Sequence, residues 1–207
     1  MMTPIALAGP GRAGTTIALA LLDAGCRIVA VAGHAPFETS TMAAAAACDA
    51  QARDLADVGI GARIVIVATP DDTIAEVAAE LADACEFEAL LVHLSGSRAL
   101  SVFDDALAKR PDLRVASMHP LQTIPSTSDG LERLPGSYAA VSGDPQVLDL
   151  VHLLQLRPLQ VDDPHRTTYH AAAVVASNHV VALLGQVERL ARSAGVPFEA
   201  FRALVDS

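Results

Sequence analysis

"PIALAGPGRAG", Pro4 to Gly14, puts an apolar run of strand length directly before three glycines spaced G-x-G-x-x-G and a helical pattern starting at Arg12. In a strand-to-helix unit each glycine has its own task. Gly9 permits the tight turn, Gly11 lets a ligand approach the backbone, and Gly14 lets helix and strand pack closely. Pro10, Arg12 and Ala13 complete the loop, and the helix N-terminus behind it offers amide donors to an anion. The loop reads as the pyrophosphate cradle of a dinucleotide site. Turn geometry alone would also use these glycines, so the strand-then-helix context carries the reading.

Outward from the loop the same alternation continues. "RIVAVAG" (27–33), "ARIVIVATP" (62–70), "ALLVHLSGS" (89–97), "LRVASMHP" (113–120), "YAAVSG" (138–143) and "RPLQVDD" (157–163) read as strands. Helical patterns over 12–23, 41–52 and 73–85 separate the first of them. Thr73-x-x-Glu76 has capping-box spacing, and the Pro/Ser-rich segment after Pro120 reads as a long loop. The pattern predicts an α/β fold, a doubly wound, mainly parallel sheet over residues 1–163. From about Pro164 it becomes continuous helix to about Ala194, so residues 164–207 are expected to form a short all-helical extension.

The formal charge of −10, with no Lys/Arg cluster, argues against nucleic acid or an anionic membrane as partner and favours a small-molecule substrate. The apolar stretch after Thr3 is too short for a signal or a span, and the chain is expected to be cytoplasmic. Cys26, Cys48 and Cys85 lack metal-ligand spacing and are expected to be buried thiols, with no metal site. Lys109 is the sole lysine, which argues against a lysine-based mechanism.

Cofactor choice is read at the end of the second strand, where an acid would grip the ribose 2′-hydroxyl of NAD. Gly33 and His34 stand there, with no carboxylate before Glu38. The missing acid favours NADP over NAD, with His34 or Arg12 meeting the 2′-phosphate; His34 as a solvated loop residue remains open. Thr69 and Pro70 end one strand beside the expected cofactor, and Ser95 and Gly96 end another. Asp71 and Asp72 have an ordinary reading as helix-start carboxylates, and Ser95-Gly96 one as a simple turn. His119 and Gln122 follow a strand on the same cleft edge, where a histidine could meet the substrate or hold the loop.

These segments, together with "MHPLQTIPS" (118–126) and "YHAAAVVASNHVVALL" (169–184), resemble bacterial proteins with a Rossmann-like domain followed by a domain of unknown function numbered 2520. Such proteins are similar in architecture to the 6-phosphogluconate dehydrogenase, pyrroline-5-carboxylate reductase and prephenate dehydrogenase superfamily. The resemblance spans essentially the whole chain and implies an NAD(P)-dependent oxidoreductase. It also implies a second helical domain larger than the one here, so a fragment or a short version is expected. A non-catalytic dinucleotide-binding module is the competing expectation.

In the superfamily the first long helix of the second domain faces the nicotinamide. On a straight α-helix His170, Ser177 and Asn178 share a broad face, while His179, nine residues from His170, lies about 180° away. Histidine suits proton transfer near neutral pH, so His170 is the expected acid/base group, with His119 as second choice. Ser177 and Asn178 are expected to orient substrate, helix packing being the alternative for Asn178. An apolar helical extension also implies a homodimer through the C-terminal helices.

Overall fold

The computed structural model describes residues 3–205 and divides into two compact units, Met1–Thr167 and Thr168–Ser207. The first is built on one eight-stranded sheet: β1 (Pro4–Ala8), β2 (Arg27–Ala32), β3 (Gln51–Ala52), β4 (Ile64–Val67), β5 (Leu90–His93), β6 (Arg114–Pro120), β7 (Tyr138–Gly143) and β8 (Arg157–Gln160). Their order is β3-β2-β1-β4-β5-β6-β7-β8. Neighbours are parallel except for the antiparallel β6 and β7. The central strands β4 and β5 are fully buried, which is why "IVIV" and "LLVH" read as continuous apolar runs.

The chain winds over both faces of the sheet. Ile17, Ala18 and Leu21 of α1 (Arg12–Asp23), Ala44 and Ala45 of α2 (Thr39–Ala47) and Val147, Leu150 and Val151 of a later helix, Val147–Leu153, pack one core. Ile74, Ala78 and Leu81 of α3 (Ile74–Leu81), with Phe103 and Ala106 around α4 (Asp104–Lys109), pack the other. Strand order reverses direction between β1 and β4, the switch point where sheets of this type open a crevice.

Four local expectations are corrected. The helix expected over 41–52 ends at Ala47, because Asp49 takes φ +49° and turns the chain into β3. The Pro/Ser loop contains α5 (Thr127–Arg133), started by Ser126, whose hydroxyl accepts from Asp129 N at 3.1 Å. Thr73 is not a capping-box residue: its backbone is already near-helical, and its hydroxyl donates to Pro70 O at 3.0 Å. Continuing the count, α6 is Val147–Leu153 and α7 is Arg166–Val174. The long helix beyond is interrupted: a π-helical turn, Val175–His179, separates α7 from α8 (Val180–Ser193).

The second unit continues from Thr168 through α8, a 3₁₀ turn at Phe198–Phe201 and α9 (Arg202–Val205). Val181, Leu183 and Leu190 are more than half exposed. By length and composition alone the helical stretch Asp163–Ser193 is long and apolar enough to cross a membrane. Its first turn, however, is part of the sheet unit, because the Arg166 side chain is fully buried there.

Candidate dinucleotide site

The glycine loop lies at the switch point, stitched to both neighbouring strands. Gly9 N donates to Ala32 O at 2.8 Å, and Ala68 N donates to Ala8 O at 2.7 Å. Gly9 has φ +97°, and a Cβ there would lie 2.6 Å from Ala68 C and 2.8 Å from Thr69 N. A Cβ on Gly14 would run into Gly9 O and stand 2.8 Å from Ala68 Cβ. These two glycines are required by the protein itself.

Gly11 differs, because a Cβ there would meet nothing within 4 Å. Gly11 is the N-cap of α1, its φ of −75° is ordinary, and no side chain caps the helix. Among the described residues nothing accepts from the amides of Arg12, Ala13 or Gly14, while Thr15 N already bonds Gly11 O. Three donors and an aligned helix dipole therefore face open space beside a residue without a side chain, which is what a pyrophosphate needs. Thr69 Oγ1 at the adjoining end of β4 is buried with no hydrogen-bond partner among the described residues, a polar atom that a ligand could satisfy. The residues present fit a dinucleotide.

The other expected residues fall into place unevenly. Gly33 follows β2 and faces Pro10 of the loop, while His34 is exposed. Arg12 Nη1 donates to Pro125 O at 3.1 Å, so its guanidinium ties the start of α1 to the loop after β6. Pro70 is exposed. Ser95 and Gly96 are buried, and the Ser95 hydroxyl accepts from Ser97 N and Arg98 N at 3.2 and 3.1 Å, closing the turn after β5. Gln122 is engaged locally, donating to Arg133 O and accepting from Thr123 N. His119 is half-buried near the end of β6.

A polar layer absent from the sequence reading lies beneath the ends of β5, β6 and β7. His93, Ser117 and Ser142 are register partners across these strands, all buried. Ser117 and Ser142 hydroxyls are 3.0 Å apart, and Arg166 donates to Ser142 Oγ at 3.1 Å and to Ser95 O at 3.0 Å. Asp163 accepts from Leu100 N at 3.0 Å, and Asp71 from the Ser97 hydroxyl at 2.6 Å. Neither ring nitrogen of His93 has a hydrogen-bond partner among the described residues; the ring packs 5.5 Å from Phe103. Burial, then the nearby Arg166 charge, pushes its pKa down to about 3, so it is neutral at pH 7. Only the strand register and the return of Arg166 from far along the chain could reveal this layer.

Within the second unit His170 and Ser177 are half-buried, and Asn178 and His179 exposed. The Ser177 hydroxyl donates to Ala173 O at 2.8 Å, the i−4 bond open to a helical serine. The π turn covers Val175 to His179. A wider turn rotates less per residue than an α-helix, so the half-turn separation of His179 from His170 does not hold.

Fold and loop together define a protein of the doubly wound, dinucleotide-binding α/β class. The chain belongs to the Rossmann-like domain family, whose model matches residues 4–120, and residues 138–207 match the domain of unknown function DUF2520. Among solved structures it is similar to a protein of Bacteroides fragilis titled as an NADP oxidoreductase, with 27% identity over 99% of this chain and 78% of that one, TM-score 0.76. It also resembles an NADH-preferring ketol-acid reductoisomerase from an uncultured archaeon, at 15% identity, 96% and 64% coverage and TM-score 0.74. A pyrroline-5-carboxylate reductase of Coxiella burnetii gives 16%, 100% and 76%, and 0.73. Proteins of curated function gave no match.

Proposed function

We propose that the protein is an oxidoreductase that prefers NADP and transfers a hydride between the nicotinamide and a carbonyl or imine of a small polar substrate, a keto or hydroxy acid being the expected class. The observation that carries the proposal is the set of open amides at Arg12, Ala13 and Gly14 over the unfilled side of Gly11. The similarity to the Bacteroides oxidoreductase supports the same reading. The preference for NADP rests on the acid-free end of β2 at Gly33 and His34.

When bound, the dinucleotide supplies or accepts the hydride. The chain's own contribution is position and polarity. The start of α1 holds the pyrophosphate, Thr69 lines the adjoining strand end, and Ser95 and Gly96 form a rigid turn at the end of β5. His170 is proposed to give or take the substrate proton, with His119 as the second candidate and Asn178 and Ser177 orienting the substrate. The π turn that carries Ser177 and Asn178, one turn beyond His170, supports a functional role for that helix, because such turns are rare and recur at functional sites. Exposed Val181, Leu183 and Leu190 support a homodimer through the C-terminal helices.

Fluorescence titration with NADPH and NADH tests the proposal. Binding of NADPH more tightly than NADH is expected, and failure of both to bind at millimolar concentration would overturn it. With a substrate identified, His170→Ala should lower turnover at least about 100-fold; unchanged turnover would remove His170 from the mechanism.

A further inference from the structure

Gly33 lies where an acidic side chain would reach the adenosine ribose. Its φ is outside the left-handed region, so the backbone there does not call for glycine. The neighbour that does is Thr41. A Cβ on Gly33 would run into Thr41 Oγ1, and would stand 3.2 and 3.4 Å from Pro10 Cγ and Cδ. Pro10 belongs to the glycine loop and cannot yield without moving the anion cradle. Thr41 is completely buried, on a helix whose Ala44 and Ala45 are fixed in the core.

The Thr41 hydroxyl is itself an anomaly. It is buried with no hydrogen-bond partner among the described residues, and as the third residue of α2 it has no helical carbonyl four residues back to bond. Burying an unsatisfied hydroxyl is unfavourable, and alanine at this position would carry no such group. What the hydroxyl does is occupy the volume over the Gly33 Cα.

We infer that Thr41 bars an acidic residue from position 33: its side chain fills the space that the Cβ of any side chain there would need, and so keeps the end of β2 free of the acid that would repel a 2′-phosphate. The inference rests on the NADP reading above and adds the residue that enforces it. Thr41 touches the β2 terminus rather than the cofactor, so it is a positioning residue.

The test uses the full chain as wild type, Gly33→Asp, Thr41→Ala and the double variant, with melting temperature measured without cofactor and NADPH and NADH affinities measured by titration. Thr41→Ala alone should leave the affinity ratio within about threefold. Gly33→Asp alone should melt lower and bind both cofactors poorly. The double variant should regain most of the lost melting temperature and shift the NADPH-to-NADH ratio toward NADH by roughly 100-fold, the scale of one like-charge contact. A Gly33→Asp protein as stable as wild type would overturn the inference, as would a double variant no more stable than Gly33→Asp. A wild type that prefers NADH overturns the NADP reading instead. Recovery of melting temperature in the double variant is independent of cofactor, so the two failures are distinguishable.

Discussion

Two polar regions of the sheet unit use their donors in opposite ways. At the start of α1 the amides of Arg12, Ala13 and Gly14 are left without acceptors among the described residues, and Gly11 keeps the space before them clear. Beneath β5, β6 and β7 the hydroxyls and the guanidinium turn inward: Arg166 bonds Ser142 and Ser95, and Ser142 lies against Ser117, while the buried His93 ring has no hydrogen-bond partner among the described residues. Polar groups buried in a fold are normally satisfied within it, so the bonded set of Arg166, Ser142, Ser117 and Ser95 serves structure. Unspent donors at a helix start serve a ligand.

The comparison breaks most severely at Gly9. Gly9→Ala combines a φ of +97° with a collision against the Ala68 and Thr69 backbone, and should cost roughly 4 kcal/mol or prevent folding. A chemical denaturation curve indistinguishable from wild type would refute this. Next comes Arg166→Ala, which strips partners from Ser142 and the Ser95 carbonyl. It is expected to cost about 3 kcal/mol, seen as a lower denaturation midpoint.

A smaller, pH-dependent effect sharpens the view of the buried layer. His93 is neutral in the fold, with its pKa lowered from 6.5 to about 3. Between these values the unfolded imidazole takes up a proton and the folded one does not. Its contribution to stability is therefore complete above about pH 6.5 and is lost as pH falls toward 3, by about 1.4 kcal/mol per unit. His93→Leu should flatten that part of the stability profile; equal slopes in the two proteins would argue against a buried neutral imidazole. The smallest contrast is between two hydroxyls. Ser126→Ala loses a true helix cap and should cost about 1 kcal/mol, whereas Thr73→Ala, which caps nothing, should cost less than about 0.5 kcal/mol.

Much of the fold is legible because β1, β4 and β5 are buried on both faces, leaving unbroken apolar runs between helical patterns. β3 is too short, at two residues, to leave a pattern. "TSDGLER" carries a single large apolar residue and so does not read as a helix, although Ser126 with Asp129 was the available signal. The glycine loop is legible because its spacing directly after a strand is a local signal, although only Gly9 and Gly14 are demanded by the protein's own backbone and packing. Arg166, His93 and Thr41 are not, since what makes them distinctive is a partner, or the lack of one, many residues away. The π turn at Val175–His179 is hidden for another reason: alanine and valine fit an ordinary α-helix equally well.

The central claim, that the start of α1 is held open for a dinucleotide, is tested most directly by Gly11→Asp. The position has ordinary φ and no protein atom within 4 Å of its Cβ, and aspartate is a good N-cap. The account predicts a melting temperature equal to or above that of wild type together with NADPH affinity at least about 100-fold weaker, because the carboxylate takes the pyrophosphate's amides and repels its charge. NADPH binding unchanged in a folded Gly11→Asp protein would contradict it.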